Sequence, residues 1–380
     1  MDGTGAASLL GAERLSSITD LPAIIAQLPD EARWRVERLF SVDAATARTE
    51  PPLEMHEWLS RHFGSVDAVR AQRVVRVTNR WTLEGTLFSR LRGRRPVESD
   101  RHDDVAREVA ATEGGPFCSP ETGTPASVWG RIRGSHAITG ANAAAYDGQH
   151  GVIVLEQHDP LAFDTDTIVD LLDVGRAWAD RSRQADPEAS AYLLIWNCLW
   201  RAGGSVVHGH AQVLLGRGAH YARVERLRRD ASAYRTAEGF PYLPELVAAH
   251  RDLGLVAWER DGATLMASLT PIKEREVLLI GPPGMDERDP AFANVLARTL
   301  VAYRDALGVR SFNLALLRPP LGQDATPDWA DIGPMVRLVD RGDPGSRSSD
   351  IGAMELYAAS VVGGDPFETA TSLREALAAS

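Results

Sequence analysis

Apolar and polar positions along the chain follow two rhythms, and the order of those rhythms repeats. The segment "GVIVLEQHDP" (151–160) is a continuous apolar run stopped by polar residues and predicts a buried strand, while "TIVDLLDVGRAWADRSR" (167–183) carries apolar residues at helical spacing. Then "AYLLIWNCLW" (191–200) reads as a second buried strand and "SVVHGHAQVLLG" (205–216) as a third. After a polar, arginine-rich helical stretch from Val224 to about Ala248, the chain gives "EVLLIGPPGMDERDP", "FANVLARTLVAYRDALG", "RSFNLALLRPPLG" and "PMVRLVDRG", the same order of strand, helix, strand and strand. Self-similarity on this scale predicts a duplicated α/β unit rather than a short-period solenoid. Upstream, residues 1–70 are helical and turn-rich and predict an N-terminal helical arm, followed by β-type runs, a turn and an arginine cluster in "QRVVRVTNRWTLEGTLFSRLRGRRP". The expected organisation is an arm at 1–70, a first unit at 71–240 and a second at 241–380.

Composition narrows the class. With 380 residues, 44% hydrophobic and 24% charged, the chain has the make-up of a soluble globular protein, and no window approaches the unbroken apolar run of a membrane span. A net charge of -11 disfavours a nucleic-acid backbone as the main partner. The N-terminal "MDGTGAASLLGAERLSS" has an early acid and neither a basic region nor a sustained apolar core, which predicts no secretory signal. Two cysteines, Cys118 and Cys198, argue against a disulfide framework and point to the cytoplasm.

The chemistry concentrates in "SVVHGHAQVLLG". Side chains in a strand alternate faces, so His208, His210 and Gln212 are expected on one side, with Val207, Gly209, Ala211 and Val213 on the other. Three readings compete for the pair: two hydrogen-bonded polar residues on a half-exposed strand, a metal pair completed by further ligands, or nucleophilic catalysis in which one imidazole attacks phosphorus. The upstream "NCLWRAGGSVVHGH" favours the third. Gly203 and Gly204 let backbone N–H groups close on an anion, Asn197 and Ser205 add neutral donors, and Gln212 can donate to a non-bridging oxygen. The second copy has no histidine after His250, so only the first carries this chemistry.

On these residues the chain resembles the galactose-1-phosphate uridylyltransferase family, the HxHxQ branch of the histidine-triad superfamily. "NRWTLEGTLFSRLRGRRP" is similar to the family's phosphate-contacting Arg-x-x-Arg-Pro element, mapping onto Arg92, Arg95 and Pro96. "GPFC" is similar to its Cys-x-x-Cys segment with Gly115 in place of the first cysteine, and "TGANAAAYDGQHGVIVLEQHDP" to its nucleotide-binding strand pair, with Asn142 at the nucleoside position. "SDIGAMELYAASVVGGDPFETATSLREAL" resembles the C-terminal segment, with Glu355 at the matching glutamate. The resemblance implies an α+β fold: a duplicated histidine-triad-like domain with mainly antiparallel sheets. It implies that His210 is the nucleophile, that Gln212 and Ser205 contact the transferred phosphoryl group, and that Asn197, Gly203 and Gly204 bind near it. Also implied are a structural zinc on Cys118, His158 and His208, no organic cofactor, a nucleotide-sugar or nucleotide substrate, and a homodimer. The activity implied is transfer of a nucleoside monophosphate between a nucleotide-sugar and a phosphorylated acceptor.

The match is uneven. With Gly115 in the first ligand's place, Glu113, Glu121 or water are the candidates for the fourth position; the alternative is that Cys118 is a small packing residue and no metal is held. In the C-terminal segment the family's lysine is replaced by Ser349 or Asp350, and Ala143 stands beside Asn142 where an acid often contacts ribose. The nucleophile's half is intact and the acceptor's half is rebuilt. Three other readings therefore stay open: phosphorolysis or hydrolysis of a dinucleoside polyphosphate or nucleotide-sugar, a silent nucleotide-binding protein, and a metal-dependent hydrolase using the histidine pair as ligands.

Overall fold

The computed structural model describes residues 16–94, 105–322, 329–346 and 348–379. Two helices, Leu21–Gln27 and Asp30–Leu39, lead into β1 (Phe40–Arg48); β2 (Ala71–Asn79) and β3 (Gly85–Phe88) follow, and the late β13 (Ser360–Val362) joins them in a four-stranded sheet of order β1-β2-β3-β13. The expected arm is thus not wholly helical. Phe40–Arg48 pairs with β2 along its whole length, from Phe40 opposite Asn79 to Arg48 opposite Ala71, which satisfies an edge that β2 would otherwise expose.

The main sheet has nine strands: β4 (Ala137–Ala141), β5 (Gln149–Leu155), β6 (Ala189–Cys198), β7 (His210–Arg217), β8 (Val256–Arg260), β9 (Ala263–Ala267), β10 (Glu274–Ile280), β11 (Phe312–Leu317) and β12 (Met335–Asp340). Their order is β4-β5-β7-β6-β11-β12-β10-β9-β8, and every ladder is antiparallel. The repeat read from the sequence is visible in that order. β5, β6 and β7 with the helix Thr165–Ala185 match β10, β11 and β12 with the helix Pro290–Asp305, and the copies meet where β6 pairs with β11. The strands of both copies run as one sheet over a shared core that includes Trp178, Trp196, Phe292 and Phe312.

The helix Thr165–Ala185 is started by Asp164, whose carboxylate accepts from the backbone of Thr167 (2.8 Å). Its Ile168, Leu171, Leu172, Trp178 and Ala179 form the buried stripe facing the sheet. The opposite sheet face mixes apolar residues such as Met266, Leu278, Ile280 and Met335 with polar ones such as Asn197, Asn313 and Arg337, and is covered by Ala222–Glu238 and Tyr242–Asp252, the two helices of the arginine-rich connection. Among the described residues no helix is long and apolar enough to cross a membrane.

His250 pins this cover to the second copy. Its Nδ1–H donates to Leu246 O (2.8 Å) and its Nε2 accepts from the backbone of Leu269 (3.2 Å), so only the neutral ring fits, and burial lowers its pKa to about 4. The unfolded chain therefore takes up the proton first, and stability is lost as pH falls from about 6.5 through 4, by on the order of 3 kcal/mol for this group. Urea unfolding between pH 7 and pH 4 is expected to show that loss, and His250→Gln is expected to flatten it; an unchanged slope would contradict the assignment.

Candidate active site

The β6–β7 connection is tightly wound. Directly after Cys198, Leu199 has φ +66° and ψ 170°, a conformation that side chains rarely adopt. One turn of 3-10 helix (Trp200–Ala202) then ends at Gly203 with φ +90°. Gly204 donates to Leu199 O (3.0 Å), and a Cβ on it would stand 2.8 Å from Asn197 O and 2.9 Å from Leu199 O, so the close approach requires glycine. Ser205, one residue on, is exposed.

The regular strand begins only at His210, which corrects the expectation that His208 lies in it. At Gly209 the backbone N–H turns to His158 O (3.1 Å) while the carbonyl accepts from Leu155 (2.9 Å), so His208 stays outside the ladder. Both rings pack edge-on against Phe117, at 6.3 Å for His208 and 5.0 Å for His210, yet their hydrogen bonds differ. His210 donates Nδ1–H to His208 O (2.8 Å). Its Nε2 meets no protein partner among the described residues, and burial holds its pKa below the usual histidine value, which favours the neutral ring.

His208 donates Nε2–H to Leu155 O (2.8 Å), and His158 donates Nε2–H to Val109 O (2.9 Å). Both protons are thereby directed away, and the two Nδ1 atoms face each other at 3.1 Å, with Cys118 Sγ 3.3 Å from one and 3.6 Å from the other. Two lone pairs at that separation repel unless a cation lies between them. Backbone carbonyls that fix both tautomers are the usual second layer of a metal-binding histidine pair. The donor set of one sulfur and two nitrogens is of the kind zinc takes, with three protein ligands among the described residues where a closed structural site has four. Neither Glu113 nor Glu121 joins the cluster among the described residues; Glu121 is engaged by Arg133.

Gln212 shares a sheet face with His210. Its Oε1 accepts from His150 Nε2 (2.9 Å) and Tyr146 OH (3.2 Å), which leaves its amide N–H groups to donate outward. Asn142 sits at the same place, its Nδ2 3.1 Å from His150 Nε2 and its Oδ1 accepting from Ala144 N (2.9 Å). On the other flank, β6 pairs Ile195 with Gln212, the last pair of that ladder, and Asn197 follows two residues on along β6. Asn197 Oδ1 accepts from Asn313 Nδ2 (2.7 Å).

No family model and no curated protein matches this sequence. Solved structures do. An ADP-glucose phosphorylase from Arabidopsis thaliana with bound ADP-glucose superimposes with a TM-score of 0.60 at 16% identity, over 78% of this chain and 97% of that one. A galt-like protein from Arabidopsis thaliana gives 0.56 at 16% identity, over 70% and 92%, and a uridylyltransferase gives 0.53 at 17%, over 80% and 99%. The chain has the uridylyltransferase fold. The expected α+β architecture with mainly antiparallel sheets is thereby borne out.

Within the uridylyltransferase fold the duplication explains why one copy lacks the histidines. Arg337 pairs with Ala315 as Gln212 pairs with Ile195, which puts Met335 at the position of His210 and Gly333 at that of His208. A Cβ on Gly333 would collide with the carbonyl oxygens of Gly281 and Pro282, so no histidine fits there. Of the remaining candidates, Arg92 and Glu355 line one cleft of about 440 Å³ with Arg201, Lys273, Arg341 and Asp350, while Arg95 and Pro96 lie outside the described residues. This cleft and His210 lie at the same end of the sheet, separated by β6 and β11.

Sequence reasoning passed over His150, Tyr146, Asn313, Arg341 and Lys273. His150 was detectable as a polar residue interrupting an apolar strand, two positions from Val152. Lys273 is remote in sequence from Asp350, yet its ammonium donates to the Asp350 carbonyl and stands 4.0 Å from Glu355, where burial lowers its pKa and the carboxylates of Asp350 and Glu355 oppose that shift.

The two loop glycines should respond unequally to alanine. Gly204→Ala collides with fixed carbonyls and is expected to cost about 1–3 kcal/mol in urea unfolding, whereas Gly203→Ala, with open space but positive φ, should cost about 1 kcal/mol. Equal costs would contradict the loop geometry.

Proposed function

We propose that the chain is a nucleotidyltransferase of the hexose-1-phosphate uridylyltransferase type, passing a nucleoside monophosphate between a nucleotide-sugar and a phosphorylated acceptor through a covalent nucleotidyl-His210. One observation carries the reading: His210 is a buried imidazole whose Nδ1–H is donated to the backbone carbonyl of His208, which leaves Nε2 with no protein partner among the described residues. The Nε2 lone pair attacks the α-phosphorus, the bond from phosphorus to the bridging oxygen breaks, and the sugar phosphate leaves with that electron pair. The ring becomes positive, and the His208 carbonyl stabilises it through the same Nδ1–H. A phosphate oxygen of the acceptor then attacks phosphorus and returns the electron pair to Nε2. Gln212 and Asn197 supply amide donors to the non-bridging oxygens; the Gly203 and Gly204 N–H groups are spent inside the loop, on Trp200 O (2.9 Å) and Leu199 O (3.0 Å), and so shape it rather than bind the anion.

In this reading Cys118, His158 and His208 hold a structural zinc, which when bound supplies the positive charge that their converging lone pairs call for. Its role is to hold the His208 backbone, and with it the carbonyl that fixes His210. Metal analysis is expected to find about one zinc per chain. Cys118→Ser is expected to lower zinc content and the thermal midpoint together; full zinc content in that variant would remove Cys118 from the site.

The bound ADP-glucose of the structurally similar phosphorylase makes ADP-glucose, beside UDP-glucose, the first donor to test. A covalent intermediate predicts exchange of label between glucose 1-phosphate and the matching nucleotide-sugar with no second acceptor present, abolished in His210→Ala. Turnover without such exchange would rule out the covalent route.

A second reading, phosphorolysis of a dinucleoside polyphosphate, draws support from the cavity of about 580 Å³ that opens beside Asn197. Its walls include Leu83, Ile195, Leu227, Leu243 and Leu246, which suit a nucleobase better than sugar hydroxyls. Diadenosine tetraphosphate turned over faster than either nucleotide-sugar would favour it.

A further inference from the structure

We infer that Asn313 and Arg341, both from the second copy, are positioning residues that set the amide orientation of Asn197 and hold the glycine loop beside His210. This rests on the proposed reading of that site as a phosphate-binding one. The β6–β11 register places Asn313 directly opposite Asn197. Asn313 Nδ2 has two protons and both are used: one is donated to Asn197 Oδ1 (2.7 Å), the other to the carbonyl of Ala202 (2.8 Å), just before Gly203 and Gly204.

An asparagine amide can be reversed end for end at little steric cost, so its direction must come from its partners. Here it comes from a charge. Arg341 donates to Asn313 Oδ1, and a guanidinium has no acceptor, so the oxygen of Asn313 must face it. Arg341 is itself held by both oxygens of Asp350, at 2.7 and 2.8 Å, and a carboxylate only accepts. The direction of donation is therefore fixed from Asp350 through Arg341 and Asn313 to Asn197. At the end of this relay Asn197 has its oxygen consumed and presents its N–H groups, the polarity a phosphate oxygen needs. Reversed, it would present a lone pair to an anion.

The same copy holds the loop elsewhere. Ser311 Oγ donates to Cys198 O (2.8 Å), Arg201 Nε to Arg341 O (3.1 Å) and Trp200 Nε1 to Pro344 O (3.0 Å). The second copy thus serves as the frame on which the other copy's phosphate donors are set.

The test uses Asn313→Asp, which keeps the contact to Arg341 and nearly the same shape but has no proton for Asn197, and Asn313→Ala, which removes both. ADP and UDP binding is measured by calorimetry in a His210→Ala background. The expected loss is tenfold or more for Asn313→Asp, about the worth of one hydrogen bond to a charged group, and smaller for Asn313→Ala although that change is larger in shape. Either loss should shrink when Asn197→Ala is already present, the remainder being what the Asn313 contact to Ala202 O contributes. Additive losses, or a milder effect of Asn313→Asp than of Asn313→Ala, would overturn the assignment. The orientation is also read with no ligand, from the Asn197 side-chain amide signal of asparagine-labelled protein. In Asn313→Asp that signal is expected to move downfield as the NH₂ turns to the carboxylate, and an unmoved signal would overturn the relay. Should neither nucleotide bind the His210→Ala protein, the phosphate reading falls while the amide signal still decides the orientation.

Discussion

Everything at the candidate site depends on the pairing of β6 with β11. That ladder joins the two copies into one nine-stranded sheet, and its register, Cys198 opposite Phe312 through Leu193 opposite Leu317, decides which residues of the second copy stand beside the first copy's chemistry. One residue of slip would turn Asn313 to the other face and replace it with a leucine or a phenylalanine. The buried aromatic cluster of Phe163, Trp196 and Phe312 spans the same seam from the core side and makes such a slip costly.

From this constraint follows a division of labour between copies that began alike. The first retains an imidazole whose pKa is lowered by burial and whose Nδ1–H is held by one backbone carbonyl. The second has closed its equivalent corner with Gly333 and Met335 and turned its polar residues toward the seam, where Asn313 and Arg341 act on the neighbouring copy. The metal corner fits the same logic. Cys118, His158 and His208 converge beside His210, whose Nδ1–H is donated to the His208 carbonyl, so anything that steadies the His208 backbone steadies His210.

Much of this was legible in the sequence because it is written in local pattern. The repeated strand, helix, strand and strand order predicted the duplicated fold, and the alternation from His210 to Gln212 placed those two on one face. Alternation does not apply to His208 because it holds only inside a regular ladder, which begins at His210. The arm was misjudged where "FSVDAATAR" forms a strand with little buried surface of its own, held by its pairing with β2. Asn313, Arg341 and Lys273 had no local signal. Their roles arise from inter-strand register or from contact with residues far along the chain, neither of which periodicity reports.

The central claim is that His210 becomes covalently nucleotidylated. The most direct measurement is the intact mass of the protein after brief incubation with ADP-glucose and UDP-glucose, quenched without acid because a phosphoramidate is acid-labile. The account predicts a mass increase equal to one nucleoside monophosphate less water, naming the nucleotide, located on His210 by fragmentation and absent from His210→Ala. No added mass under conditions of turnover, or the same added mass in His210→Ala, would contradict it.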